Sequence, residues 1–317
     1  MLKIFEKSGK IIKLGDYFKK IDGELHESPR GIKKYGYYGL SIIRSEERAL
    51  KKHDIWILKE KERNFITVEN RFTKIQHKIP IKSVFPNIRR YAGLKTIDIS
   101  DNTDYVVFKP FKGIEKFLED SEINEEERIE ALTRVRNGFW SKMVEENSSK
   151  VAMIYRANLT ADMTHNLAFY SDSEMFFGGS FWRVLIDDVK QAKLFTLWIN
   201  STLNLFQFIV ERKETEGGWV WFDDYVLREF SILDFTELPN NEIEEILSIF
   251  EKYGKTPVPS ILTQIEQGHP VRKELDSILL RILGVNENEI NSFLGKLYGV
   301  VSNELRKLKK VMKGRSR

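Results

Sequence analysis

VKQAKLFTLWINSTLNLFQFIV, residues 189–210, is the stretch whose reading decides the class of fold. It belongs to the longest apolar-looking run in the chain. A membrane-spanning helix needs about 20 mostly apolar residues, whereas Asn200, Ser201, Thr202, Asn204 and Gln207 interrupt this run. It therefore reads as one long helix of a globular protein, over about 189–211. The N-terminal MLKIFEKSGKII also lacks the apolar segment of a signal peptide. A soluble, cytoplasmic protein without membrane contact is expected.

Working outward, strands are predicted at 151–155, 167–170 and 181–186. After the helix, a Gly217-Gly218 break leads into a short strand at 219–222. Further upstream, Asn124 can cap a helix with Glu125, Glu126 and Glu127 in its first turn, where the helix dipole favours carboxylates. The first 110 residues read as short strands and loops. Segments 11–14, 37–43, 54–58, 65–68 and 105–108 are rich in β-branched and aromatic residues. Residues 81–84 predict a short helix stopped by Pro86. From Pro239 onward the spacing is helical, ending in an amphipathic stripe from Ile290 to Leu308. The expected class is α+β: mixed-sheet domains followed by a small C-terminal helical unit. The expected divisions are 1–118 (strand-rich), 119–237 (α+β) and 238–317 (helical).

Charge is divided unevenly. Residues 1–115 hold 25 Lys+Arg against 15 Asp+Glu, residues 116–237 hold 13 against 22, and residues 238–317 hold 13 against 10. A basic first part beside an acidic middle points to an anionic partner for one region, with nucleic acid the leading candidate. The same counts also fit the Lys/Glu-rich surface of a heat-adapted protein.

Much chemistry is excluded. Without Cys there are no disulfides, thiolate nucleophiles or Cys-held zinc. The 19 glycines include no Gly-x-Gly pair, so the usual dinucleotide fingerprint is missing, and no phosphate loop occurs. The eight prolines include no adjacent pair, which removes an Asn/Asp-Pro-Pro-aromatic amine-methylation motif. His26, His53, His77, His165 and His269 lie far apart, without metal-ligand spacing. No cofactor or metal is expected in this chain, and a non-catalytic chain is the expectation. One enzyme pattern survives: Asp172 with Asp188-Val189-Lys190 fits the acids and lysine of a metal-dependent nuclease. Asp188 also stands where a helix begins and needs a cap, which is the reading preferred.

Candidate nucleic-acid contacts are loops that combine cations with aromatics. Arg30, Lys33, Lys34 and Tyr35 lie in Ser28–Gly36, and Arg89, Arg90 and Tyr91 follow Pro86. Arg and Lys bind phosphates, Arg also reads guanine, and Tyr stacks on exposed bases. Arg212 and Lys213 form a second set beside the Gly217-Gly218 loop. Trp219 and Trp221 share a strand face predicted to enter the core. A third use of the chain is as a scaffold whose last helix docks on another protein, although packing on its own domain is the preferred role for that stripe.

Lys13-Leu14-Gly15-Asp16 followed by Ser28-Pro29-Arg30-Gly31-Ile32 resembles the opening of the target-recognition region of N6-adenine DNA methyltransferases of type II restriction-modification systems. Ile81 to Tyr91 leading into Tyr105–Phe108, the Ile199-Asn200-Ser201 turn, Leu233-Asp234, and Arg272-x-x-Leu275-Asp276 with Ile282-Leu283-Gly284 resemble later segments of that family, in order. The resemblance covers about residues 10–312. It implies that 1–118 and 119–237 are DNA-recognition subdomains and that the chain binds duplex DNA as a specificity subunit. The methylation domain has no counterpart here. The resemblance thus places S-adenosylmethionine and adenine methylation on a separate catalytic domain or subunit.

Overall fold

The computed structural model describes residues 9–30, 32–214, 219–221 and 223–315. The chain opens with β1 (Ile11–Lys13), α1 (Leu14–Ile21), β2 (Glu24–Glu27), α2 (Tyr37–Leu40), β3 (Ser41–Ile43), β4 (Trp56–Lys61), β5 (Phe65–Asn70), β6 (Gln76–Pro80), β7 (Val84–Ile88) and β8 (Asp104–Val107). Helices α3 (Ile114–Glu119), α4 (Glu125–Arg136) and α5 (Phe139–Glu146) precede β9 (Ser148–Ile154), β10 (Arg156–Ala157), β11 (Ala168–Phe177) and β12 (Phe181–Leu185). Then come α6 (Val189–Asn200), α7 (Thr202–Val210), β13 (Lys213–Glu214), β14 (Val220–Trp221), α8 (Asp224–Arg228) and β15 (Ser231–Leu233). Helices α9 (Asn240–Tyr253), α10 (Ile261–Gln267), α11 (Pro270–Ile282) and α12 (Glu287–Arg315) complete the order. The class is α+β, as expected.

Ten strands form one mixed sheet in the order β2-β12-β9-β11-β7-β8-β3-β4-β5-β6. Its two parallel pairings are β7 with β11 and β3 with β4. Phe176 and Phe177 show how the sheet divides the interior. Successive strand residues point to opposite faces, so Phe176 enters one core and Phe177 the other. One core gathers strands β3–β5, β7 and β8 with helices α3–α5, and there Trp56 stacks on Phe117 at 4.5 Å. The other joins α1, β9, β11, β12, α6 and α7 to the helices from α9 to α12.

Each core draws on segments from both sides of residue 118. Helices α4 and α5 close the core of the first part, with Val135 and Trp140 buried against it, while residues 11–25 and 88–99 contribute to the other. Strands from either side of residue 118 share one sheet, with β2 set beyond β12, apart from the other strands of the first part. The charge shift that marked the boundary reports the surface, whereas cores follow strand pairing between distant segments.

Local signals fare unevenly. Asn124 caps α4 by accepting from the Glu127 amide at 2.8 Å. Residues 37–43 are not a single strand: α2 precedes β3. Gly36 sets that turn with a φ of 77°, and a Cβ there would stand 2.4 Å from the Ala131 methyl on α4. The predicted helix at 81–84 is one 3-10 turn, Ile81–Ser83, and Pro86 lies inside β7. β7 tolerates it because β11 pairs only with Asn87 and Ile88, so the missing N–H is not needed there.

The long helix predicted over 189–211 breaks at Ser201 into α6 and α7. Buried polar side chains fix the break. Asn200 accepts from the Leu167 amide at 2.7 Å and donates to the Ala168 carbonyl at 2.8 Å, which ties the break to β11. Arg272 donates to the Asn200 carbonyl at 2.7 Å. Asp276 accepts from the Thr202 amide at 2.8 Å and from the Tyr298 hydroxyl at 2.7 Å. Burial pushes the Asp276 carboxyl pKa up and the Arg272 pKa down, the response of charges withdrawn from water. Two motifs far apart in sequence, Asn200-Ser201 and Arg272…Asp276, thus form one hydrogen-bonded junction. The stripe from Ile290 to Leu308 packs inward, with Leu297, Val301 and Leu305 buried in the same core.

Candidate functional site

β7 and β11 run parallel and end together, and the residues that follow each strand meet. Gly178 donates its amide to the Ile88 carbonyl at 2.9 Å. A Cβ on Gly178 would stand 2.8 Å from the Arg89 carbonyl oxygen, so this approach needs glycine. Beyond the strand ends lie two adjoining hollows that share Arg30, Gly179 and Ser180. The first, about 460 Å³, is lined chiefly by Tyr38, Lys51, His53, Arg89 and Arg90. The second, about 550 Å³, is lined by Tyr155, Arg156, Trp219 and Trp221. Among the described residues, no carboxylate lines either one.

The first hollow has a charged floor. Asp54 is buried and forms ion pairs with both Arg89 and Arg90. Arg48, paired with buried Asp104 at 2.7 Å, donates to the Arg90 carbonyl at 3.2 Å. Burial and the neighbouring Arg90 push the Arg89 guanidinium down to about 10, and burial lowers Arg90 too. At neutral pH both remain cations. His53 stacks on Tyr38 with ring centroids 4.0 Å apart. Burial, then Arg89, Arg90, Lys51 and Lys52, push its pKa down to about 4. Four cations thus surround one imidazole, and such a cluster attracts an anion.

The predicted contacts fall into several groups. Arg30 is half-exposed between the hollows, pairs with Glu27 at 2.7 Å, and lies 4.1 Å from the Tyr155 ring centroid. Arg89 and Arg90 line the first hollow. Tyr91 points inward instead. It is buried, its hydroxyl accepts from the Asn158 amide at 3.4 Å, and burial pushes its pKa up to about 12. That ring is not open to a base. Tyr35 packs on Phe139 at 5.0 Å with Arg134 on its ring, a structural role. The side chains of Lys33, Lys34 and Lys213 and the Gly217-Gly218 loop lie outside the described residues. Arg212 is half-buried at the end of α7, 3.9 Å from Glu304 on α12.

Lys51, His53, Tyr38 and Arg156 were not singled out by sequence. The Lys51-Lys52-His53 run before β4 and the Tyr155-Arg156 pair after β9 were the available signals. Trp219 and Trp221 were predicted to enter the core, yet both line the second hollow, and Trp219 is 37% exposed. β14 is a two-residue strand held between β10 and β13 outside the large sheet, and the core it borders is taken by Val220, on the face opposite to the tryptophans.

The nuclease triad does not assemble. Asp188 caps α6 by accepting from the Gln191 amide at 2.8 Å, Lys190 pairs with Glu244 at 2.7 Å, and Asp172 accepts from the Tyr170 hydroxyl at 3.2 Å. No group of three metal-ligating side chains occurs among the described residues. Among the same residues, no helix is long and apolar enough to cross a membrane.

The fold thus belongs to the α+β class, a mixed ten-stranded sheet with a helical C-terminal part, and carries a cation-lined cleft at a parallel strand pair. It is similar to the solved structure of the type IIG restriction endonuclease BpuSI, with a TM-score of 0.60 at 13% identity over 96% of this chain. The match takes up 32% of that enzyme, so the chain spans about a third of its length. No protein-family model and no curated protein matches the chain.

Proposed function

We propose that the chain binds duplex DNA through the cleft at the ends of β7 and β11. In this reading it is the target-recognition part of a restriction-modification system and is not itself catalytic. The observation that carries the reading is the cleft lined by Arg30, Lys51, Arg89, Arg90 and Arg156, with no carboxylate lining it among the described residues. Cations so placed neutralise phosphates and release counterions, and Arg side chains offer the paired donors that read guanine. Lys51, Lys52, Arg89 and Arg90 gather around His53, and after burial each of these charges pushes its pKa down. The similarity to a restriction endonuclease across nearly the whole chain supports the setting. Adenine methylation, with S-adenosylmethionine as donor, falls in this reading to another domain or subunit.

The test is binding of the purified chain to a pool of random duplex DNA at two salt concentrations, followed by sequencing of the retained fraction. Binding that weakens steeply with salt and enriches a short motif is expected. Salt-sensitive binding without a motif would remove target recognition and leave a nonspecific DNA binder. No binding at low salt would end the DNA reading.

A further inference from the structure

The second hollow differs in chemistry from the first. Folding leaves Trp219 partly in water beside Arg156, whose guanidinium lies 5.4 Å from the Trp219 ring centroid and 5.9 Å from that of Trp221. On the other side Arg30 covers the Tyr155 ring at 4.1 Å. Tyr155, Trp219 and Trp221 thus bring three aromatic side chains to one hollow with two guanidinium groups. At about 550 Å³ the hollow matches a small-molecule site and is far too small for a duplex segment.

We propose that this hollow holds one nucleobase outside the base-pair stack. The base lies against Trp219 and Trp221, and the flanking phosphates meet Arg30 and Arg156. Aromatic faces take any base, and cations between them neutralise the backbone, which is the combination an unpaired nucleotide needs. The proposal rests on the DNA reading above and adds the form of DNA that is bound. A duplex must give up stacking to supply such a base, and a duplex with an unpaired nucleotide gives up less.

The experiment uses the full chain, a fully paired duplex, and the same duplex carrying one extra unpaired thymidine. Affinities are read by fluorescence anisotropy of the labelled DNA, with tryptophan emission followed in parallel. Tighter binding of the bulged duplex by about 10-fold is expected from one stacked base, together with quenching of tryptophan emission. Trp219→Ala loses the preference, and Trp219→Phe, which keeps an aromatic face, retains part of it. Equal binding of both duplexes by the natural chain overturns the proposal and leaves the DNA reading standing. A preference that survives in Trp219→Ala also overturns it. Binding of neither duplex removes both readings.

Discussion

Asp276→Ala tests whether the junction between α6 and α7 is held by its buried polar groups. Asp276 has 0% exposure. Removing its carboxylate strands the Thr202 amide and the Tyr298 hydroxyl, both now bonded within 2.8 Å. It also leaves the Arg272 guanidinium without the nearby negative charge that favours its ionised form. A stranded buried donor costs about 1–3 kcal/mol, while Arg272 keeps its bonds to Gln264 and the Asn200 carbonyl and loses only a nearby charge. The two donor costs overlap, because one entering water can serve both, so the expected loss is about 2–4 kcal/mol. Against a typical total of roughly 5–15 kcal/mol that is a large fraction. Urea unfolding followed by far-UV circular dichroism measures it. Asp276→Asn, which keeps an acceptor for Thr202 but not the charge, falls between the two. Lys190→Ala, on an exposed pair, leaves the midpoint in place. An Asp276→Ala protein within about 1 kcal/mol of the natural chain would refute the reasoning, since even one stranded donor exceeds that.

Arg30→Ala weakens DNA binding by about 1–3 kcal/mol and relaxes the preference at one position if Arg30 reads a base; an even loss across sequences assigns it to phosphate, and unchanged affinity removes it from the site. Gly178→Ala forces a Cβ to 2.8 Å from the Arg89 carbonyl oxygen, so stability falls by about 1–3 kcal/mol; an unchanged unfolding midpoint would show that the two strand ends are not in close contact. Burial and the surrounding cations push the His53 pKa down to about 4 in the folded chain, from the 6.5 of a free imidazole. The unfolded chain therefore takes up a proton first, and stability falls as pH drops from 6.5 towards 4. Proton NMR of the ring reads the midpoint directly. A value near 6.5 in the free protein would remove the positive field, whereas a rise on adding DNA is expected.

Legibility followed the range of the interaction. Caps were readable because they are local: Asn124 and Asp188 each needed only the residue three places on. The inward stripe of α12 was readable from spacing alone. The break at Ser201 was not, because the bonds that fix it come from Leu167, Arg272 and Asp276, far away in sequence. Nor was the fate of Tyr91 beside Arg89 and Arg90. Whether an aromatic next to two arginines turns inward depends on which side of the strand end the core lies. For the Trp219 face the strand alternation holds, but the face that enters the core is the one carrying Val220. The family resemblance rested on the order of short motifs, and the structure shows two of them in mutual contact.

The parallel seam between β7 and β11 consists of two residue pairs, Phe176 with Asn87 and Phe177 with Ile88. Among the described residues it is the one strand pairing that joins the two halves of the large sheet, with residues 97–99 adding backbone bonds to Tyr170 on β11. Sub-global opening follows such narrow seams, so the amides of the two halves are expected to exchange with solvent as two populations, one for each block. A ligand in the cleft touches both blocks, through Arg89 on one side and Gly179 on the other. It therefore acts as a clasp: occupancy couples the blocks, and slowed exchange at residues distant from the cleft becomes a record of what the cleft holds.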